Sequence, residues 1–380
     1  NQGSPSDQLN LLLLETDWIR LGMAGNLAAY TFVDRNGNLV SGNQIDYKGQ
    51  QAGYTADPQE VINYVEAHDN ETLYDVFTLK LPLPVSMPQR VRAHNVALAT
   101  VAFAQGVPFF HAGTELLRSK SLDRNSYNSG DWFNRLDFTY TTNNWGVGLP
   151  PAGDNQANWP LYAPLLANPS LKPAPSDITD TLAVFREFLA IRRSTALFRL
   201  RTASEIQSRV ATYNAGPNPE PGLVVQAIFD NDGALDRQHD LVAVAINATG
   251  VTKAYSAPAL AAKSLLLHPI QSASHDLVVR GAAFSGGTFT IPARTAAVFW
   301  SIRPLADQIT LLLGDVTVQS LRAKLLAAID SAQRGNTNAA RNQLNAFIHE
   351  VEAMVSTGRL SASTGAYLIA EANAILSTIP

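Results

Sequence analysis

The sequence contains no cysteine among its 380 residues. This absence excludes disulfide bonds and thiolate metal sites. Charged residues are also few, at 16%, and the formal net charge is only −4. No block of lysine and arginine indicates a nucleic-acid surface, and no apolar run reaches the roughly 20 residues that span a membrane. The polar first residues carry neither an initiator methionine nor a signal peptide, so we expect the chain to begin within a larger protein.

Hydrophobic residues make up 46% of the chain, which is enough for packed cores. A strand, a helix and a second strand are predicted at residues 61–65, 88–105 and 106–110. Both strands are short and mostly apolar, so we expect them to be parallel and buried on both faces. Upstream, the polar residues 33–38 between two short apolar runs indicate a hairpin.

The remaining pattern changes twice. A polar, tryptophan-containing loop covers residues 111–175, and a loop of this length is typically functional. Short strands separated by turn residues then indicate a β-sandwich; they lie at 223–229, 241–246, 264–267, 277–279, 288–291 and 296–300. Helical apolar spacing at 321–329, 344–355 and 368–376 indicates a small helical bundle. We expect domain boundaries of 1–201, 202–303 and 304–380.

Candidate chemical residues follow the first strand. His68, Asp69 and Asn70 stand where a strand ends, and βα barrels carry their reactive groups at that end. A carboxylate supported by polar neighbours can hold sugar hydroxyls and stabilise an oxocarbenium-like state. A solvated turn that has no role in catalysis explains the same pattern.

A second candidate lies in the long loop. Asp131 and Arg135 enclose Trp132 and Asn134, a combination that can bind a sugar by hydrogen bonds and stacking. An ion pair that only fixes the loop is the alternative. Residues 34–38 partly match the start of a calcium loop, but the later glycine and glutamate are missing. The seven histidines show no metal-binding spacing, and there is no Gly-x-Ser-x-Gly elbow.

Several longer motifs resemble the pullulanase group of glycoside hydrolase family 13. They are VINYVEAHDNETLYD at 61–75, GVPFFHAGTE at 106–115, LLRSKS at 116–121, NSYNSGDWFNR at 125–135, RLGMAGNL at 20–27 and IDY at 45–47. The first is similar to the fourth conserved region of the family, and the second to its eighth-strand motif. The resemblance covers about residues 10–303.

The resemblance implies a fold and a chemistry. The expected fold is the C-terminal portion of a (β/α)8 TIM barrel, then an antiparallel β-sandwich, then a small α-helical bundle. The family hydrolyses α-1,6-glucosidic bonds by a retaining mechanism. Asp69 matches the transition-state stabiliser and His68 the histidine at the cleaved bond. Asn70, Asp131 and Arg135 match substrate-binding positions, and we add Trp132 and Asn134 of the same loop. The expected partner is a branched α-glucan (pullulan, amylopectin or limit dextrin), with no nucleic acid, no required cofactor and no metal ligand assigned. A structural calcium ion at an unassigned site stays open.

One departure from the family pattern is decisive. The nucleophile and acid motifs precede the seventh strand in this family, and none appears in the 67 residues before His68. We therefore expect an inactive part of a bacterial enzyme that is secreted or held at the cell surface, and that needs the missing barrel half. The last 75 or so residues resemble helical modules appended to bacterial surface proteins. A non-catalytic glucan-binding protein and a scaffold that only docks to other chains are the alternatives.

Overall fold

The computed structural model of the protein describes residues 3–379, which form helices and five separate sheets. The helices are α1 Pro5–Met23, α2 Leu73–Lys80, α3 Met87–Ala102, α4 Gly130–Asn134, α5 Ala152–Asn155, α6 Trp159–Leu166, α7 Pro175–Ser194, α8 Ala203–Arg209, α9 Pro269–Ser272, α10 Leu305–Gly314, α11 Gln319–Gln333, α12 Thr337–Ser356 and α13 Ala362–Thr378. The strands are β1 Thr31–Val33, β2 Leu39–Ser41, β3 Asp46–Tyr47, β4 Gln50–Gln51, β5 Ile62–Asn63, β6 Val107–Pro108, β7 Val210–Tyr213, β8 Leu223–Phe229, β9 His239–Asn247, β10 Lys253–Ser256, β11 Leu265–Leu267, β12 Ala283–Ser285, β13 Thr288–Ile291 and β14 Thr295–Ile302.

The strand, helix, strand prediction at 61–110 is confirmed in its order and direction. Strands β5 and β6 are parallel, with Ile62 opposite Val107, and α2 and α3 lie between them in the chain. The expectation that both strands are buried on both faces is wrong. Val61 is buried, whereas Ile62 is 58% and Val107 44% exposed. Successive side chains of a strand point to opposite faces, and within residues 3–379 the sheet holds only these two strands, so one face stays uncovered.

Helix α7 fixes the position of the second strand. The Arg192 guanidinium on α7 donates hydrogen bonds to the carbonyl oxygens of Ala102, Ala104 and Gly106, at 2.9, 2.6 and 3.1 Å. The Ala102 carbonyl belongs to the last turn of α3, where a helix leaves its acceptors unsatisfied, and the other two carbonyls follow that turn. Gly106 has a φ of +89°, and an added Cβ would meet the Pro58 carbonyl at 2.9 Å. The start of β6 is therefore set by one arginine and one glycine.

Two larger sheets follow in sequence. Their strand orders are β11-β14-β9-β8-β7 and β10-β13-β12. Strands were correctly predicted at 223–229, 241–246, 264–267, 288–291 and 296–300, while β7, β10 and β12 were missed. The strand expected at 277–279 is wrong, because Leu277 is 71% exposed and a 3₁₀ turn begins at Val279. The predicted hairpin is confirmed, with β1 antiparallel to β2. No closed barrel forms among the residues that the structure describes.

Four helices, α10 to α13, share a core built mainly from leucine and isoleucine. Helices α11, α12 and α13 contain the three apolar faces that the sequence indicates, and α10 adds a fourth helix. Gly335 and Gly358 follow α11 and α12 with φ values of +74° and +71°, as helix-ending glycines do.

The chain divides into two compact units. The first contains the described residues up to Ile228 together with Ala243–Phe299, and the second contains Phe229–Val242 together with the described residues from Trp300 onward. None of the helices within residues 3–379 has the length and apolar character needed to cross a membrane.

Replacing Phe347 by alanine should destabilise the second unit by about 3–5 kcal/mol, because the ring is fully buried in the helical core and its loss leaves a cavity. Calorimetry should show a lower Tm for the transition of this unit. His349→Ala is the control on the same helix, since that side chain is 78% exposed. If the Phe347→Ala and His349→Ala variants unfold at the same Tm, the assignment of Phe347 to the core of this unit is wrong.

Candidate functional site

The predicted catalytic residues form a turn that begins five residues after the end of β5. The side chains of His68 and Asp69 are 83% and 77% exposed, and His68 Nε2 lies 3.6 Å from Asp69 Oδ1. Asn70 is exposed and has a φ of +61°, which asparagine tolerates better than most residues. The turn therefore presents an imidazole and a carboxylate to solvent at the carboxyl end of the strand.

A buried lysine lies beneath this turn. Lys120 is only 1% exposed, and its Nζ donates to the carbonyl oxygens of His68 and Asn70, at 3.1 and 2.7 Å. Burial lowers the pKa of this ammonium group, while the carboxylates of Asp123 and Asp75 oppose that change. A buried cation needs such oxygen partners to remain charged.

A series of polar side-chain contacts connects the region after β5 with the long loop. Arg118 Nη1 donates to His111 Nε2 at 3.2 Å, so this nitrogen accepts and a neutral His111 ring carries its proton on Nδ1. His111 Nδ1 faces Glu66 Oε2 at 3.9 Å. Burial of Glu66 favours its neutral form, but hydrogen-bonding groups of His111, Thr114 and the Leu73 backbone outweigh burial, so its pKa lies below the usual value. Glu66 is therefore a carboxylate directed at the imidazole.

A second buried carboxylate fixes the backbone on which Lys120 sits. Asp75 accepts hydrogen bonds from Ser119 Oγ at 2.6 Å and from the backbone N–H groups of Lys120 and Leu122 at 2.9 and 3.2 Å. Burial raises the pKa of Asp75 to about 6, and these donors oppose the rise. At neutral pH the group is ionised and joins α2 to residues 119–122.

The loop motif at 125–135 folds back on itself. Asn134 Nδ2 donates to the carbonyl oxygens of Ser126 and Gly130 at 2.8 and 3.0 Å, and Arg118 Nη2 donates to the Asn134 carbonyl at 3.0 Å. Trp132 is 65% exposed, yet its Nε1 donates to the Val147 carbonyl at 2.9 Å. This bond fixes one edge of the indole and leaves a ring face available for stacking.

Two adjoining pockets bring the strand end and the loop together. The first, of about 210 Å³, is lined by His68, His111, Arg118, Lys120, Ser126, Tyr127 and Asn134. The second, of about 300 Å³, is lined by Asp131, Trp132, Asn134 and Arg135. Asn134 belongs to both. The structure thus unites His68 with all four predicted loop residues, while Asp69 and Asn70 line neither pocket and stand exposed beside His68.

The sequence prediction missed five residues of the first pocket: His111, Arg118, Lys120, Ser126 and Tyr127. All five lie inside motifs that carried the family resemblance, but no role was assigned to them. Arginine and lysine directly after the apolar pair Leu116-Leu117 were the available signal, because buried charges are rare without a specific partner.

Two other motifs, the partial calcium loop at 34–38 and an Asn-Ala-Thr glycosylation sequon at 247–249, have structural explanations. Asp34 Oδ1 accepts from the backbone N–H groups of Asn36 and Asn38, at 2.9 and 2.8 Å, so this carboxylate stabilises the β1–β2 turn. Within residues 3–379 no group of three or more His, Asp or Glu side chains is arranged around a common metal position. Asn247 of the possible glycosylation sequence is fully buried, and its Nδ2 donates to three carbonyl oxygens.

Comparison with known proteins gives matches along most of the chain. Residues 140–301 match the family model described as alpha-1,6-glucosidases, pullulanase-type, C-terminal. Pullulanase 1, chloroplastic, of Arabidopsis thaliana is 47% identical over 309 residues, which are 79% of this chain and 32% of the relative. A pullulanase of Klebsiella pneumoniae is 38% identical over 287 residues, covering 74% of this chain and 26% of the relative.

The chain is homologous to pullulanases. The crystal structure of the maltotriose complex of PulA from Klebsiella pneumoniae matches with a TM-score of 0.73 at 38% identity, over 77% of this chain and 32% of that one. The chain spans about a third or less of the length of these pullulanases. Residues 312–377 match a separate model, the FIMAH domain, which lies outside the pullulanase match.

The buried Asp75 carboxyl gives a pH test. Its folded-state pKa, about 6, lies above its ordinary value of 3.8, so the folded state binds the proton more tightly than the unfolded state. The stabilisation of the folded state that comes from the protonated Asp75 carboxyl is fully present below about pH 4. It is lost as the pH rises through 6. Relative to Asp75→Asn, the wild type should lose roughly 2 kcal/mol between pH 4 and 7. Denaturation of the first unit at four pH values measures this, and an opposite slope would contradict it.

Proposed function

We propose that the chain forms the C-terminal part of a debranching glycoside hydrolase that cleaves α-1,6-glucosidic bonds in pullulan, amylopectin and limit dextrins. Homology to pullulanases supports this proposal. The observation that carries it is the pair of adjoining pockets, in which His68 of the strand end and Asn134 of the loop meet around hydrogen-bonding groups. Polar pockets with an exposed aromatic ring suit a sugar, which offers hydroxyl groups on its edges and C–H groups on its faces.

Each residue of this site has a proposed role. The exposed Asp69 carboxylate stabilises positive charge that develops on the sugar ring in a retaining reaction, and His68 binds the sugar next to the cleaved bond. Trp132 stacks on a glucose unit while Asp131 and Arg135 bind its hydroxyl groups. Asn70 contributes a further polar contact from the turn.

The nucleophile and the acid would come from barrel strands that precede β5. The uncovered face of the strand pair supports this part of the proposal, because Ile62, Tyr64 and Phe109 are 58%, 58% and 43% exposed. Apolar side chains at this density on an open strand pair need a covering partner. At the β5 edge, a pocket of about 540 Å³ lined by Trp18, Asn63 and other residues offers room for it. The missing half of a (β/α)8 barrel would supply apolar side chains that match this exposed apolar face.

The 380-residue chain by itself should not hydrolyse pullulan, because a retaining glycosidase needs two further carboxyl groups near the cleaved bond. Release of reducing sugar, measured with chain of verified full mass, is the assay. A chain extended by the N-terminal barrel strands of a pullulanase is the positive control. Turnover by the unextended chain would refute the proposed division of roles.

Pullulan in a native gel should retard the chain, and Trp132→Ala should abolish most of the retardation by removing the stacking ring. Phe138→Ala is a matched control, since Phe138 is 64% exposed, close to the 65% of Trp132, but lines neither pocket. Retardation that is absent in the wild type, or equal in both variants, would contradict glucan binding by this loop.

A non-catalytic role is the second candidate. The helical unit, with its separate match to the FIMAH domain, gives the chain a part that has no counterpart in the pullulanase match. A scaffold or a glucan-binding protein would use this arrangement without any hydrolysis. We retain secretion or display at the cell surface as an expectation; the relatives include chloroplast and bacterial enzymes.

A further inference from the structure

The ammonium group of Lys120 contacts the peptide backbone on both sides of Asp69. Its Nζ donates to the carbonyl oxygen of His68 at 3.1 Å and to that of Asn70 at 2.7 Å. An ammonium group has three donors and no acceptor, so these bonds use two of its three hydrogens. The lysine is therefore committed to the backbone of the turn, although it also lines the first pocket.

These contacts favour one conformation of the turn. Asn70 adopts a left-handed φ of +61°, which costs energy for a residue with a Cβ. The two carbonyl groups point to the buried ammonium, and the Asp69 side chain between them extends outward, 77% exposed. Loss of the ammonium would leave two carbonyl groups without this donor and remove the force that holds the left-handed residue.

The lysine is itself rigidly held. Asp75 accepts from the Lys120 backbone N–H at 2.9 Å and from Ser119 Oγ at 2.6 Å, which fixes the backbone that carries the ammonium group. Across the turn, Glu66 Oε2 accepts from the Leu73 N–H at 2.7 Å and ties the strand end to the start of α2. Hydrogen bonds therefore hold the segments before and after the turn, and the Lys120 ammonium group holds the turn itself from beneath.

We infer that Lys120 is a positioning residue that holds the Asp69 turn in the geometry in which its carboxylate faces a bound glucan. This inference rests on the proposed role of Asp69 in glucan chemistry. A lysine that bound sugar directly would direct its donors into the pocket. A lysine that served stability alone would leave the order of the turn unchanged when the rest of the fold is intact.

The test uses the full chain with Lys120→Met, Lys120→Arg and Lys120→Gln, and with Lys172→Met as the control because Lys172 is exposed. ¹⁵N relaxation gives the order parameters of residues 69–71. We expect about 0.85 in the wild type and in the control, and below about 0.6 in Lys120→Met. Lys120→Arg should restore most of the order, since it keeps a charged donor.

Affinity for maltotriose is the second readout. Lys120→Met should weaken it by about tenfold, equivalent to about 1.4 kcal/mol, while Lys120→Arg stays close to the wild type. A folded Lys120→Met protein with unchanged order parameters would overturn the inference. Undiminished maltotriose binding despite a loosened turn would overturn it too. Should Lys120→Met not fold, Lys120→Gln decides, because its amide nitrogen is uncharged and lies one bond nearer the backbone than Nζ, too short to donate to both carbonyl groups; wild-type order there would overturn the inference.

The same data separate this inference from the proposed function. Failure of the wild type to bind maltotriose would refute glucan binding by the chain. The order parameters would still report on the anchor: a turn that loosens in Lys120→Met supports it, and one that does not refutes it.

Discussion

The buried carboxylate of Asp75 is the constraint on which the candidate site depends. It lies on α2 and accepts hydrogen bonds from Ser119, Lys120 and Leu122, residues that follow β6. A buried charge is stable only when its oxygens have donors, so a shift of this segment that removed the donors while Asp75 stayed buried would leave an uncompensated charge. That connection places the Lys120 ammonium under the turn after β5. It also orients Arg118, whose guanidinium donates hydrogen bonds to His111 on one side and to the Asn134 carbonyl oxygen on the other.

This arrangement joins a rigid foundation to an open surface. Beneath the turn, Glu66, Asp75 and Lys120 are buried and hydrogen-bonded, whereas His68 and Asp69 above them are largely exposed. Precise placement of a reactive group requires neighbours that do not move, and access requires that the group itself face solvent. The same contrast holds in the loop, where Trp132 has a fixed indole nitrogen and a free ring face. The exposed apolar face of β5 and β6 extends the open surface toward the region where further barrel strands are proposed.

Local patterns predicted the elements well where the reason for them is local. Apolar spacing located α11, α12 and α13, and turn residues located the β1–β2 hairpin, because helix faces and tight turns depend on residues a few positions apart. The pattern failed where burial is decided by distant parts of the chain. Residues 61–65 and 106–110 have the composition of buried strands. In these two segments, however, Val61 is buried and the other residues are half-buried or exposed. The segment at 277–279 has strand-like residues but pairs with no neighbouring strand, and its leucine faces solvent.

The sequence by itself named the candidate site residues and determined that their motifs are similar to those of pullulanases. His68, Asp69 and the loop residues at 131–135 were all named from their order and spacing. Tertiary structure alone decided that His68 shares a pocket with Asn134, that the Arg118 guanidinium faces His111 Nε2, and that Lys120 supports the turn from below. Hydrogen bonds between segments distant in the chain depend on how helices and strands pack against one another. The periodicity of apolar residues along the chain does not specify that packing.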